Sequence, residues 1–246
     1  MSMSKRLIVS PHFDDAVLSC GDTLLSGSAA TTVLTVCGGS PGPGTPPSSW
    51  DWRCGFIDGH QAATRRQQED ERACAAAGAT PVHLPFADFP YSGPKDIEAV
   101  ATAIEPYLTE AEEIWAPTGI GIHEDHLATR EAVLLAAQRL AIPRLLLYAD
   151  NPYAGALGWA TLDEERTGTL RWADAFASLP DGVALSELQL RRLTPAATAA
   201  KIAVVREHAS QLAGLGRYHP TLTCVDGLLA TEGWFVCTVT APAVAK

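Results

Sequence analysis

The sequence predicts a Rossmann-like α/β fold: a mostly parallel sheet sandwiched by helices, with a small cap region toward the C-terminus. Three observations point there. As far as Asp150, apolar and β-branched runs alternate with segments of helical period, the pattern of parallel strands joined by crossover helices. The runs Leu7-Ile-Val9, Thr31-Thr-Val-Leu-Thr-Val-Cys37 and Arg144-Leu-Leu-Leu-Tyr148 suit strands buried on both faces. Finally, 246 residues, 47% of them hydrophobic, can bury one sizeable core. No repeat, low-complexity tract or linker divides the chain, so a single domain over residues 1–246 is expected.

In order, the pattern reads as follows. A strand over Lys5–Ser10 leads through a polar motif into a helix over 16–28, and a central strand follows over 31–37. Residues 38–59 carry Gly, Pro and Ser with Trp50 and Trp52. Loops longer than ~12–15 residues in compact domains are usually functional, so this one is expected to border the site. A helix over 61–77 ends at Gly78, placed as a C′ glycine. A short strand over 82–84, a Pro-rich turn through Tyr91 and a helix over 95–109 with Ile97, Val100, Ala101, Ile104 and Leu108 on one stripe come next. Then come a strand over 113–116, a helix over 124–140 and a strand over 144–148. Beyond Asp150 the alternation weakens. Residues 151–194 read as a small hairpin cap with a strand over 167–172, followed by a helix over 198–212 and a last strand over 233–239.

Charge and cysteine usage exclude several functions. With 18 Lys+Arg against 28 Asp+Glu, the net charge of −10 opposes binding to nucleic acid or anionic lipid. No run approaches ~18 consecutive apolar residues, and the first six residues run straight into a strand, so a cytoplasmic protein without a membrane partner is expected. The six cysteines form no Cys-x-x-Cys pair and read as buried thiols. The oligomeric state is left open, a homo-oligomer included.

Chemistry concentrates in two clusters. Pro11-His-Phe-Asp-Asp15 follows the first strand and His123-Glu-Asp-His126 follows the strand over 113–116. Both would lie at the carboxyl ends of parallel strands, where open α/β sheets bind ligands. His12 and Asp15 are three apart and can aim at one point, which displaces Asp14 sideways to where a general base would stand. His123 and His126 share a helix face; one can complete a three-ligand metal set while the other faces substrate. Taken singly, a His-x-x-His pair is commonly surface or capping chemistry, and Asp14 or Asp15 can simply cap the helix that follows. Two such clusters, each just past a strand in a chain with seven histidines, favour a hydrolytic metal site.

These motifs resemble the two signatures of the PIG-L/LmbE-like zinc-dependent N-deacetylases, which include N-acetylglucosaminyl deacetylases. Arg66-Gln-Gln-Glu69 is similar to the family's Arg-x-x-Glu helix, and Lys201 with His208-Ala-Ser-Gln211 to its C-terminal pattern. The resemblance implies zinc, with Fe2+ as an alternative, held by His12, Asp15 and His126. It implies Asp14 as general base and His123 as the imidazole that stabilises the tetrahedral intermediate or protonates the leaving amine. Arg66 and Asp88 would contact substrate hydroxyls, although an intrahelical pair of Arg66 with Glu69 or Asp70 is an equal alternative. His208 and Gln211 would serve structural hydrogen bonds. The chain departs from the family at Phe13, Ala16 and Gly121; some members carry a tyrosine at this last position.

The expected activity is removal of an N-acetyl or N-acyl group from an amino sugar or amino-sugar conjugate, a small-molecule substrate. Trp50, Trp52, Phe89 and Tyr91 would either stack on it or anchor loops. The alternatives are a metal-dependent amidase or esterase on a non-sugar substrate, and a non-enzymatic sugar- or nucleotide-binding Rossmann-like domain. Ser10-Pro-His stands where phosphate-cradling glycines would be needed for the last.

Overall fold

The structure, a computed structural model, describes residues 3–121, 123–156 and 179–240. Its first half contains β1 (Lys5–Ser10), α1 (Asp15–Leu25), β2 (Ala30–Thr35), α2 (Ser49–Arg53), α3 (Gly59–Ala77), β3 (Thr80–His83), α4 (Phe89–Ser92), α5 (Ile97–Glu110) and β4 (Glu113–Pro117). Then follow α6 (Glu124–Arg139), β5 (Arg144–Tyr148), α7 (Tyr153–Ala156), β6 (Val183–Leu185), β7 (Gln189–Arg192), α8 (Pro195–Val205), α9 (Ala209–Tyr218) and β8 (Thr231–Val239).

Five parallel strands in the order β3-β2-β1-β4-β5 continue into β8, which runs antiparallel to β5. The strand order reverses between β1 and β4, and the crevice at such a switch point is where this architecture binds ligands. Both polar clusters follow these two strands.

Successive residues of each strand point to opposite faces, and the two cores show it. Ile8, Val33, Trp115 and Leu146 pack with Val17 and Leu24 of α1, Cys74 of α3 and Ile202 and Val205 of α8. Leu7, Val9, Leu34, Ile114, Leu145 and Leu147 pack on the other side with Val100, Ile104 and Leu108 of α5 and Val133 of α6. The predicted sandwich of helices around the sheet is therefore present, with α5 carrying the predicted stripe inward.

Differences from the sequence reading have physical causes. β6 and β7 both pair antiparallel with β8; Leu185 opposes Cys237 and Gln189 opposes Trp234, so the register slips by one residue between them, as at a bulge. Residues 179–194 of the predicted cap thus extend the sheet edge, while the strand predicted over 167–172 lies outside the described residues. The single helix predicted over 198–212 is two helices. Thr194, whose side chain accepts from Ala197 N, and Pro195 start α8 earlier than predicted. It stops at Arg206, where Glu207 N and His208 N turn back to Val204 O and Val205 O. The loop over 38–59 contains α2, set by a capping box between Ser48 and Asp51.

Lys201, part of the C-terminal pattern named above, is fully buried on α8 and donates to Glu232 Oε1 at 2.8 Å, while Arg191 Nη2 reaches Glu232 Oε2 at 2.8 Å. Its stem crosses α1 at Gly21, where a Cβ would lie 2.6 Å from Lys201 Cγ. The lysine ties α8, α1 and β8 together away from the reacting centre. All six cysteines are free; Cys20, Cys37, Cys74 and Cys237 are buried, whereas Cys224 is exposed, against expectation. Among the described residues no helix is long and apolar enough to cross a membrane.

Candidate active site

The loop after β1 is folded back on itself by short-range hydrogen bonds. Ser10 Oγ donates to His12 O at 2.6 Å and accepts from Ala16 N at 3.0 Å, and His12 N donates to Asp15 Oδ2 at 2.8 Å. Ser10 therefore serves the start of α1. Asp14 makes no side-chain capping bond, so the helix-cap alternative does not account for it. Its carboxylate, 6% exposed, accepts one long hydrogen bond from Gln211 Nε2 at 3.4 Å.

The loop after β4 supplies the other half. His123 caps α6 by accepting from Asp125 N on Nδ1 at 3.3 Å, and His126 lies one turn further in, fully buried. Asp15 Oδ2 stands 3.2 Å from His12 Nδ1 and 3.3 Å from His126 Nε2, and one ligand atom from each of these residues lies within 4.8 Å of the others. The structure thus brings His12, Asp15 and His126 to one point.

What turns these imidazoles inward is a pair of carboxylates behind them. His12 Nε2 bonds Asp125 Oδ2 at 3.0 Å, and His126 Nδ1 bonds Asp150 Oδ1 at 2.7 Å. Asp125 is fixed by Phe89 N at 2.9 Å and by Lys95 Nζ at 2.7 Å; Asp150 is fixed by Ile120 N at 3.0 Å and by the Thr118 hydroxyl. A carboxylate on one ring nitrogen leaves the other as a lone pair, the arrangement that orients metal-binding histidines. His126 Nε2 is buried with no hydrogen-bond partner among the described residues. Two such nitrogens and a carboxylate oxygen fit a divalent cation of the zinc or iron class. His12, Cys37, Asp88 and Asp125 also group closely, but Lys95 already supplies the positive charge there.

Electrostatics follow from this crowding. Burial opposes a charged His126, yet the Asp15 carboxylate facing Nε2 and the Asp150 carboxylate on Nδ1 outweigh it and raise its pKa to about 9. Burial also disfavours an ionised Asp15, but the His126 charge and the close approach of the His12 and His126 rings hold it well below the usual carboxylate range. Asp14 moves the other way, pushed up by burial and by the neighbouring Asp15 charge. Burial and the charges of His12 and His126 lower His123 to about 4. With Nδ1 accepting from Asp125 N, the neutral ring of His123 carries its proton on Nε2.

A cavity of about 240 Å³ opens on this centre, lined by His12, Asp14, Asp15, His123, Tyr153, Gln211, Trp50, Arg66 and Asp88. Arg66 pairs with Asp51 Oδ1 at 2.6 Å, not with Glu69 or Asp70, and its Nε and Nη2 are buried without hydrogen-bond partners. Glu69 instead accepts from Arg65 and Ser210, and Asp70 holds His83 at 2.7 Å. The Asp88 carboxylate has no hydrogen bond or ion pair among the described residues.

The four loop aromatics separate. Trp50 lines the cavity, its Nε1 donating to Gln211 Oε1 at 2.9 Å. Trp52 is 70% exposed, and Tyr91 gives its hydroxyl to Asp51 while accepting from Ser48 N, so it anchors the loop. Phe89 contributes its backbone N–H to Asp125.

Asp125 and Asp150 had no assigned role in the sequence. Asp150 follows a predicted strand by two residues, the same placement that drew attention to His12. Replacing it with Asn is expected to weaken metal affinity about 10- to 100-fold, as losses behind a ligand do; competition titration against a chelator measures it.

Comparison with known proteins gives the chain a family. The chain matches the family GlcNAc-PI de-N-acetylase, PIG-L, over residues 7–137. It is 32% identical over 183 residues to the 2'-N-acetylparomamine deacetylase of Streptomyces fradiae, a match spanning 66% of this chain and 62% of that one. The 2'-N-acetylparomamine deacetylase of Niallia circulans is 27% identical over 256 residues, 87% of this chain and 84% of that one. The crystal structure of the antimicrobial reagent A40926 pseudoaglycone deacetylase Dbv21 superimposes with a TM-score of 0.74 at 30% identity, covering 98% of this chain and 100% of that one. With half the chain matched and both motifs inside the matched segment, the protein belongs to the PIG-L family of de-N-acetylases.

Proposed function

We propose that this chain is a single-domain, metal-dependent N-deacetylase acting on an acetylated amino sugar within a larger antibiotic-type glycoconjugate. The observation that carries it is the convergence of His12 Nδ1, Asp15 Oδ2 and His126 Nε2, with Asp14 lining the same cavity outside that group. His12, Asp15 and His126 would hold zinc, with Fe2+ as the alternative. When bound, such an ion lowers the pKa of water and polarises an acyl oxygen.

The chain's own groups supply the rest. Asp14 takes a proton from the attacking water, and its raised pKa suits it to return that proton to the departing nitrogen. Gln211 Nε2 orients its carboxylate. His123, neutral because burial and nearby positive charge disfavour the imidazolium, presents an Nε2–H donor to developing negative charge on the acyl oxygen. Arg66, whose Nε and Nη2 have no hydrogen-bond partner among the described residues, and Asp88, whose carboxylate has none there either, present donors and an acceptor to sugar hydroxyls.

The relatives named for N-acetylparomamine and for a glycopeptide pseudoaglycone support the substrate class. The test is mass spectrometry of N-acetylparomamine, N-acetylglucosaminyl glycopeptides, free N-acetylglucosamine and simple aryl acetates incubated with metal-loaded protein. An acetyl-for-hydrogen mass loss from the N-acetyl sugars is expected. Turnover of the esters alone would refute the reading.

A further inference from the structure

We propose that Tyr153 is a further catalytic residue, whose phenol O–H donates a hydrogen bond to the substrate's acyl oxygen as water adds to the acyl carbon. The proposal rests on the N-deacetylase reading above. Tyr153 lines the cavity, with its ring centroid 5.3 Å from that of His126 and 6.3 Å from that of His123. It therefore stands beside both an imidazole of the metal set and the imidazole assigned to the acyl oxygen.

Its place is built rather than incidental. Tyr153 follows Asp150, the carboxylate that holds His126, by three residues, and Ala154 N donates back to Asp150 O at 2.8 Å. Asn151 in between is pinned to α1 through Ser19 Oγ at 3.0 Å and Leu18 O at 3.3 Å. On the other side the ring sits directly on the backbone of Gly121. There φ is +94°, and an added Cβ would lie 2.6 Å from Tyr153 Cγ. Only glycine permits both that backbone conformation and that approach.

The ring is fully supported by these contacts, yet its hydroxyl bonds to no described residue. An O–H in a mostly enclosed cleft is a donor awaiting an acceptor. An ordinary phenol keeps its proton at neutral pH. In the hydrolysis, the water oxygen bonds to the acyl carbon, the C–N bond breaks, and a proton from the water ends on the amine. Tyr153 gives up no proton; it opposes charge that builds only as the tetrahedral state forms. Such an interaction raises kcat and leaves KM nearly unchanged.

Tyr153→Phe keeps the ring on Gly121 and removes only the donor. A fall in kcat of about 10²- to 10³-fold, the usual loss for one oxyanion donor, is expected with KM within about threefold and metal content unchanged. Gly121→Ala, which displaces the ring, is expected to lower kcat in the same direction. Binding of methylphosphonate, a tetrahedral oxyanion, measured by calorimetry on metal-loaded protein, is expected to weaken by about tenfold or more in the Phe variant. Phosphonate binding equal to wild type, or a kcat within about twofold of it, overturns the proposal. Wild-type protein inactive on every N-acetyl sugar refutes the N-deacetylase reading instead, and the phosphonate measurement still decides the role of Tyr153.

Discussion

Asp14→Asn is expected to lower kcat by about 10²- to 10⁴-fold while leaving metal content unchanged. The carboxylate lies in the same cavity as His12 and Asp15, makes no capping bond, and accepts a side-chain hydrogen bond from Gln211. Asparagine can still accept from Gln211 Nε2 but cannot take a proton from water. Stability separates this result from misfolding. Burial and the Asp15 charge raise the pKa of Asp14 in the folded state, so the folded protein binds that proton more tightly than the unfolded chain does. Ionised Asp14 therefore opposes folding at neutral pH, and the Asn variant is expected to melt no lower than wild type. A variant that loses activity together with its Tm would show that Asp14 is structural; one that keeps wild-type kcat would show that it is not the base.

His126→Ala is expected to abolish both stoichiometric metal binding and deacetylation. It removes the most buried nitrogen of the set, which Asp150 turns inward. The same side chain sets a pH dependence. With a folded pKa raised to about 9, above the 6.5 of an ordinary histidine, His126 stabilises the metal-free protein fully below the ordinary value. That contribution is lost as pH rises through the folded value. A metal ion needs the neutral ring, so its uptake must displace this proton, and affinity is expected to climb with pH up to about 9. Calorimetry in buffers of different ionisation enthalpy reads the released proton; no release at pH 7 in wild type would contradict the assignment.

The fold was legible because both faces of β1, β2 and β5 are apolar and the helices between carry clear stripes. Gly78, with φ of +70°, closes α3 where it was predicted. The break between α8 and α9 was not legible, because Arg206-Glu-His208 contains neither Gly nor Pro. It nevertheless directs Gln211 into the cavity and Ser210 onto Glu69. In the site, His12, Asp14, Asp15, His123 and His126 sit in two short motifs that anticipate their convergence. Asp150 and Tyr153 do not, since their relation to His126 comes from strand order β4-β5, which spacing along the chain does not state. The Arg66–Asp51 pair likewise depends on how α2 packs against α3.

The central claim is that His12, Asp15 and His126 share one cation. Anomalous diffraction from metal-loaded crystals, collected across the zinc and iron edges, tests it most directly. A single peak within coordination distance of His12 Nδ1, the Asp15 carboxylate and His126 Nε2, and away from Asp14, is expected. A peak among Cys37, Asp88 and Asp125 instead, or no peak in crystals of protein that is active in solution, would contradict it.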